Sequence, residues 1–285
     1  MSLSRAESRG PSRAESRGRW ATRAAALVAL LPALPLAWML LASFAPESRL
    51  FDSRALWRGP FVLDHYRALF DERSFWIPIR NSLVVASATT VFAVTLGGAC
   101  AYALARMRFR GRHALLAFVL AVSMFPQISL VAPLFFALRE AGLINTYPGL
   151  VLPYLTFAMP LTIWLLVGYF RQLPADLEEA AALDGASRWR ILTEIVAPVA
   201  WPGIATTAIL TFVYCWNEFL FALSFTLGPE RHTVPVAIAL FRGQYQVPWG
   251  QVLAAAVIAT CPVVLLVLIF QRRIVQGLTA GAVKG

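Results

Sequence analysis

Apolar residues in this chain fall into long blocks parted by short polar stretches, at about 21–43, 79–105, 114–138, 149–170, 201–227 and 250–271. Blocks of about 20 residues or more can cross roughly 30 Å of hydrocarbon as helices. The runs are continuous and lack the period-two alternation of a lipid-facing barrel. Open strands could not satisfy their backbone groups in lipid. The pattern therefore predicts an all-α polytopic membrane protein with six transmembrane helices. Pro32, Pro35, Pro126, Pro133, Pro153, Pro160 and Pro262 lie in or near the blocks. They predict kinks, because neighbouring helices can re-satisfy freed carbonyls.

Composition agrees with that reading. Hydrophobic residues make up 59% of the 285 positions and charged residues only 14%, and the mean hydropathy is +0.65. A soluble domain would carry nearly twice that charge. The formal net charge of +10 raises the question of nucleic acid, but the basic residues are placed for topology. Arg5, Arg9, Arg13, Arg17, Arg19 and Arg23 precede the first block, and the near-duplicate "SRAESRGPSRAESRG" that holds most of them has no apolar periodicity. It predicts a disordered tail over 1–19. The N-terminal tail, 106–112, the 171–200 loop and the 272–285 tail together hold 16 Lys and Arg, against nine on the other side. The positive-inside rule makes the first side cytoplasmic, with both termini inside. Six spans over 20–271 fit that arrangement with 272–285 as a cytoplasmic tail, and its "GLTAGAVKG" (277–285) is too small and flexible to predict a packed element.

Chemistry-bearing residues are sparse. Cys100, Cys215 and Cys261 all lie in apolar segments without metal spacing, and His65, His113 and His232 form no motif. No metal site or bound cofactor is expected. Glu218, in "YCWNEFLF", is the acid placed inside a span. A charge there costs roughly 2.5–3.5 kcal/mol on insertion scales, so it should face the bundle interior or water. Trp216, Asn217 and Glu218 either line a polar pathway or make interhelical bonds.

The stretch "RQLPADLEEAAALDGASRWRILTEIVAP" breaks the apolar pattern. Pro174 suits a first helical position, and Asp176, Glu178 and Glu179 put negative charge where a helix dipole favours it. Ala180, Ala181 and Ala182 continue the helix with little bulk. Gly185 is placed for a left-handed C-terminal turn and Ser187 to cap a second short helix ending before Pro198. A lipid-surface helix would need basic residues and bulky apolar ones. Positions 172–187 instead hold four acids and no base, which suits a groove on another protein.

That stretch resembles the EAA-loop signature of ABC-importer permeases: "EAA" at 179–181, Gly185 after three residues, and "IVAP" at 195–198 after nine more. Ala197 stands where the pattern usually has leucine. "NSLVVA" (81–86), "AYALARMRFRGR" (101–112), "PLFFALREAGLINTYPGL" (133–150), "WNEFLFAL" (216–223), "WGQVLAAAVIATCP" (249–262) and "QRRIVQGLTAGAVKG" (271–285) are similar to the second, shorter permease subunit of maltose-type carbohydrate importers. The resemblance implies the type I ABC-importer permease fold in a bacterial plasma (inner) membrane. It also implies a companion permease, a cytoplasmic ABC ATPase dimer that binds MgATP, an extracellular solute-binding protein and a sugar or oligosaccharide substrate.

By the same resemblance, Glu179 is the anchor in an ATPase cleft, Gly185 the turn, and Ala180 and Ala181 the close contacts, with Ile195 and Pro198 completing the loop. ATPase closure would move two such loops together and open the spans outward. The permease itself carries no G-x-x-x-x-G-K-[ST], so its role is gating and not chemistry. In some relatives the C-terminal tail reaches between ATPase subunits. An ion-coupled secondary transporter using Glu218 is the competing class. It usually needs several buried ionisable groups or paired broken helices. A membrane enzyme would need clustered Asp, Glu or His at the surface, and a lone channel leaves the loop unexplained.

Overall fold

The computed structural model describes residues 28, 31–52, 59–241 and 247–280, the stretch 272–280 as backbone alone. The basic N-terminal tail over 1–19 and residues 281–285 lie outside these. The described elements are helices: α1 (Ala33–Ala42), α2 (Asp64–Asp71), α3 (Trp76–Arg106), α4 (Arg112–Ser123), α5 (Gln127–Glu140), α6 (Tyr147–Gln172), α7 (Asp176–Leu183), α8 (Arg188–Val199), α9 (Trp201–Trp216), α10 (Leu220–Phe225), α11 (Val234–Ala239) and α12 (Trp249–Ala280).

The chain divides into two compact units. The first, Met1–Tyr66 with Pro248–Val257, holds α1 and the start of α12. Ala42, Ala45 and Leu50 form its small core with Leu253 against them. The Glu47 carboxylate accepts from the amides of Trp249 (2.8 Å) and Gly250 (3.0 Å), so a negative side chain satisfies the free N–H groups that open α12.

The second unit, Arg67–Val247 with Ile258–Gly285, is built on α3 and α6, with α9 packed against both. Small residues let these backbones approach. A Cβ added at Gly97 of α3 would stand 3.3 Å from the Thr162 methyl of α6, and one at Gly203 of α9 would meet the Tyr169 ring. The buried hydroxyls of Thr162 and Thr211 bond at 2.9 Å, joining α6 to α9 through an interhelical hydrogen bond.

Three helices are long and apolar enough to span a membrane: Trp76–Arg106, Tyr147–Gln172 and Trp249–Gln271. Two more candidates are helix pairs bent at a break, α4 with α5 by 93° and α8 with α9 by 83°. The block 114–138, expected as one span, is thus broken at Met124–Pro126. Phe125 precedes a proline, which disfavours helical backbone there, and Pro126 is extended. The block 201–227 is likewise interrupted between Trp216 and Leu220. Of the first block, α1 supplies ten apolar residues, and 21–27, 29 and 30 lie outside the described residues. At the other end α12 runs four residues into the small-residue stretch 277–285, read as too flexible for a packed element, since the helix continues over 272–280 to end at Ala280. That stretch holds no proline, and a single Gly277 costs only about 1 kcal/mol of helix propensity.

Candidate functional site: the helix-turn-helix between α6 and α9

The loop 171–200 folds as the paired helices its punctuation predicts, with two adjustments. Leu173 is extended, as the residue before a proline prefers. That places Pro174 ahead of α7, which begins at Asp176 once the amides of Glu178 and Glu179 bond to the Ala175 carbonyl. Pro174 is therefore not the first helical residue. The second adjustment lies in α8, which passes through Pro198 instead of stopping before it. Ile191–Val196 winds as a π-helical turn ahead of Ala197–Val199. A wider turn there relieves the clash of the proline ring with the carbonyl four residues back.

The turn between the helices is fully specified. Gly185 has φ +81°, a left-handed conformation that glycine adopts without a Cβ penalty. The Ala186 amide bonds to the Ala181 carbonyl (3.0 Å) and the Gly185 amide to that of Ala182 (3.1 Å), the two bonds of a Schellman motif. Ser187 Oγ then accepts from the Arg190 amide at 3.3 Å and caps α8. An exposed ion pair follows at i,i+4, Arg190 Nε to Glu194 Oε2 at 2.8 Å. Glu194 holds the Arg190 guanidinium pKa above its ordinary value.

The two faces of α7 differ. Glu178 and Ala181 are buried, while Asp176, Leu177, Glu179, Ala180, Ala182 and Leu183 are exposed. Of these, Asp176, Glu179, Ala180 and Leu183 sit at i, i+3, i+4 and i+7, a single helical stripe. Leu183, 90% exposed, stands at its end. Of the residues assigned by resemblance, Glu179 and Ala180 therefore face outward, whereas Ala181 turns into this chain's own core beside Phe170, Ile191 and Leu192. Ala181 thus offers a partner little surface in this conformation. Ile195 packs half-buried against the same core. Pro198 is exposed and lines an apolar cavity of about 700 Å³ with Gly98, Leu166, Trp189, Leu192 and Trp201.

The inward face carries chemistry that sequence reasoning missed. Glu178 lies in a buried ion pair with Arg106, the last residue of α3: Nε stands 2.8 Å from Oε1, with the side chains only 12% and 9% exposed. This is a charge contact without an aligned hydrogen bond at those two atoms. The other carboxylate oxygen accepts from the Tyr102 hydroxyl at 3.0 Å, and Arg106 Nη2 donates to the Leu173 carbonyl at 2.6 Å. In the sequence Arg106 is one of four arginines in a basic stretch and Glu178 one of three acids opening a helix. Nothing local singles out this pair.

Trp216, Asn217 and Glu218 adjoin in sequence but point apart. Trp216 is buried and its Nε1 donates to the Ala259 carbonyl of α12 at 3.1 Å. Asn217 is exposed and donates back to the Val213 carbonyl at 2.7 Å. Glu218 is buried and accepts from the amides of Phe221 (2.7 Å) and Ala222 (3.1 Å), capping α10. None of the three lines the apolar cavity beside Pro198.

Known proteins match this architecture. The chain is 45% identical to the trehalose/maltose transport system permease protein MalG of Thermococcus litoralis over 264 residues, covering 92% of this chain and 95% of the relative. It is 46% identical to the trehalose transport system permease protein SugB of Mycobacterium tuberculosis over 254 residues, 88% and 92% of the two. Among solved structures, a bacterial ABC transporter involved in import of the acidic polysaccharide alginate superposes with a TM-score of 0.75 at 22% identity, covering 93% of this chain and 99% of that one. The MetNI methionine ABC transporter does so at 0.56 and 17%, covering 73% and 99%. At those identities the likeness concerns the fold, which is that of ABC-importer permeases. Nothing in these matches supports the ion-coupled alternative. With residues 93–280 also matching its family description, the chain belongs to the binding-protein-dependent transport system inner membrane components.

Proposed function

We infer that this chain is the permease subunit of an ATP-driven, binding-protein-dependent sugar importer, and that α7 is the element on which a cytoplasmic ATPase docks. The relatives at 45–46% identity are named for trehalose and maltose, so the substrate class is a sugar or short oligosaccharide. The chain forms half of the pore with a companion permease, receives solute from an extracellular binding protein, and leaves MgATP to the ATPase dimer. The arginine-rich side, with α7 and both termini, faces the cytoplasm.

The observation that carries the docking role is the stripe Asp176, Glu179, Ala180 and Leu183. A small, acid-bearing helical face with one bulky apolar residue fits a narrow basic groove. Its opposite face is anchored in the chain's own core, so the stripe is presented rigidly. ATP-driven closure of two such grooves would pull α7 and its companion together and turn the spans outward; hydrolysis would reverse the motion.

The test is recovery of partners from native membrane in mild detergent, with Glu179→Lys alongside. Wild type is expected to bring down an ATPase and a second permease, and the variant to lose the ATPase alone. Equal ATPase recovery with both would overturn the docking role of α7.

A further inference from the structure

We propose that Glu178, held by Arg106 and Tyr102, is a positioning residue that welds α7 to the ends of α3 and α6, so that load on the outer face of α7 passes into the spans. The proposal rests on the importer reading and adds to it the residues that carry motion from the docking helix into the bundle.

Three elements meet at one carboxylate. Arg106 closes α3 and touches Glu178 Oε1 at 2.8 Å. Its other nitrogen holds the carbonyl of Leu173, the residue that ends α6, at 2.6 Å. Tyr102, one turn earlier on α3, donates to Glu178 Oε2 at 3.0 Å and sets its ring edge-on to Phe170 of α6 at 6.3 Å. One guanidinium thus bridges the last residue of α3, the corner after α6 and the first turn of α7. Ala181, three residues beyond Glu178, adds an apolar contact on the same face.

Burial makes this linkage stiff. A charge pair removed from water is weak evidence for stability, and its best-attested use is to fix one geometry over others. Bidentate-capable arginine supplies directional donors that a hydrophobic contact lacks. The nearby exposed pair Arg190–Glu194, 66% and 59% exposed, lies within α8 and is screened by solvent. Glu179, the next residue, is exposed. Adjacent carboxylates thus divide the work, one toward a partner and one toward the bundle.

The experiment uses the complete importer in proteoliposomes, measuring sugar imported per ATP hydrolysed. Variants are Glu178→Gln, Arg106→Lys and Tyr102→Phe. The assembled complex is expected to persist while the ratio falls about tenfold for Glu178→Gln, the size of an ordinary coupling free energy between sites, and less for Tyr102→Phe. A merely structural role would reduce the amount of complex and leave the ratio alone, so an unchanged ratio in Glu178→Gln overturns the proposal. Should Glu178→Gln fail to assemble, Tyr102→Phe decides by the same ratio, since it deletes one hydroxyl and keeps the ring contact. Wild type that recovers no ATPase overturns the importer reading, and this proposal with it.

Discussion

The carboxylate of Glu218 accepts hydrogen bonds from the Phe221 amide at 2.7 Å and the Ala222 amide at 3.1 Å. A buried acid in an apolar block is thereby paired with the chain's own backbone. The helix that reads as one span over 201–227 is broken after Trp216, and α10 restarts at Leu220 with free amides at its N-terminus. A negative side chain aimed at such amides is favoured by both hydrogen bonding and the local dipole.

Glu218→Ala is therefore expected to leave two buried amides unpaired, at about 1–3 kcal/mol each. Thermal unfolding of the purified protein in detergent should show a marked loss of stability, and uptake should fall in step with the amount of assembled complex. Glu218→Gln keeps one acceptor oxygen and should be milder on both measures. A Glu218→Gln importer that assembles at the wild-type level yet transports poorly would return the residue to the solute pathway.

Leu183 offers a cleaner test of the outward stripe than any charged position. At 90% exposure it gives the isolated chain almost no burial energy, so Leu183→Ser should leave thermal stability within about 0.5 kcal/mol of wild type. In a partner groove the same side chain would bury apolar surface worth roughly 1.5–3 kcal/mol. The expected outcome is a tenfold or greater weakening of ATPase binding, read by titrating ATPase onto the detergent-solubilised permease. Unaltered affinity would move the contact elsewhere on the loop.

What could be read in advance followed from local chemistry. Gly185 at φ +81° and the Ser187 cap depend on neighbours a few positions away, so their residue types announce them. The bends do not announce themselves, because hydropathy measures how greasy a block is and not whether it runs straight. Phe125–Pro126 and Asn217–Phe219 sit inside blocks apolar enough to hide a break. The division between Glu178 and Glu179 is harder still. Both open the same helix, and the partners that mark which one turns inward, Tyr102 and Arg106, lie more than 70 positions before Glu178.

Two glycines separate backbone cost from packing cost. A Cβ at Gly185 meets nothing within 4 Å, so Gly185→Ala should cost only the left-handed backbone penalty, about 1–2 kcal/mol. At Gly203 a Cβ would stand 2.5 Å from ring carbons of Tyr169, on the seam between α9 and α6. Gly203→Ala must displace that ring, and overpacking of this kind costs about 1–3 kcal/mol. The two positions should therefore be coupled: the penalty for Gly203→Ala is expected to shrink when it is measured in a Tyr169→Ala background. Gly185→Ala should gain nothing from Tyr169→Ala. Unfolding midpoints of the four variants settle the comparison.

Asn81 organises the opposite end of α3. It is fully buried, donates to the carbonyls of Glu230 (3.0 Å) and His232 (2.9 Å), and accepts from the Tyr147 hydroxyl at 2.7 Å. Ser82 beside it accepts from the Val234 amide at 2.8 Å, and Asn145 donates to the Glu230 carboxylate at 2.6 Å. The segment 227–234 is thus clamped to the bundle, and one of these bonds, Asn145 to the Glu230 carboxylate, involves a group that titrates in acid. The Asn145 bond, foremost, lowers the Glu230 pKa, and desolvation lowers that of His232. For Glu230 the folded state favours the charged form, so its contribution is present above the unfolded value and lost as pH falls through the folded one. For His232 the folded state favours the neutral form, so stability falls as pH drops below the unfolded value of about 6.5. Both signs agree, and the clamp should loosen on acidification. Hydrogen exchange of the amides of Leu227 and Val234 is expected to speed up between about pH 7 and pH 4, after correction for the intrinsic rate. His232→Asn should remove the upper part of that dependence and keep the lower. Asn81→Leu should speed exchange at every pH, since it frees two carbonyls and a hydroxyl whatever the charge on the loop.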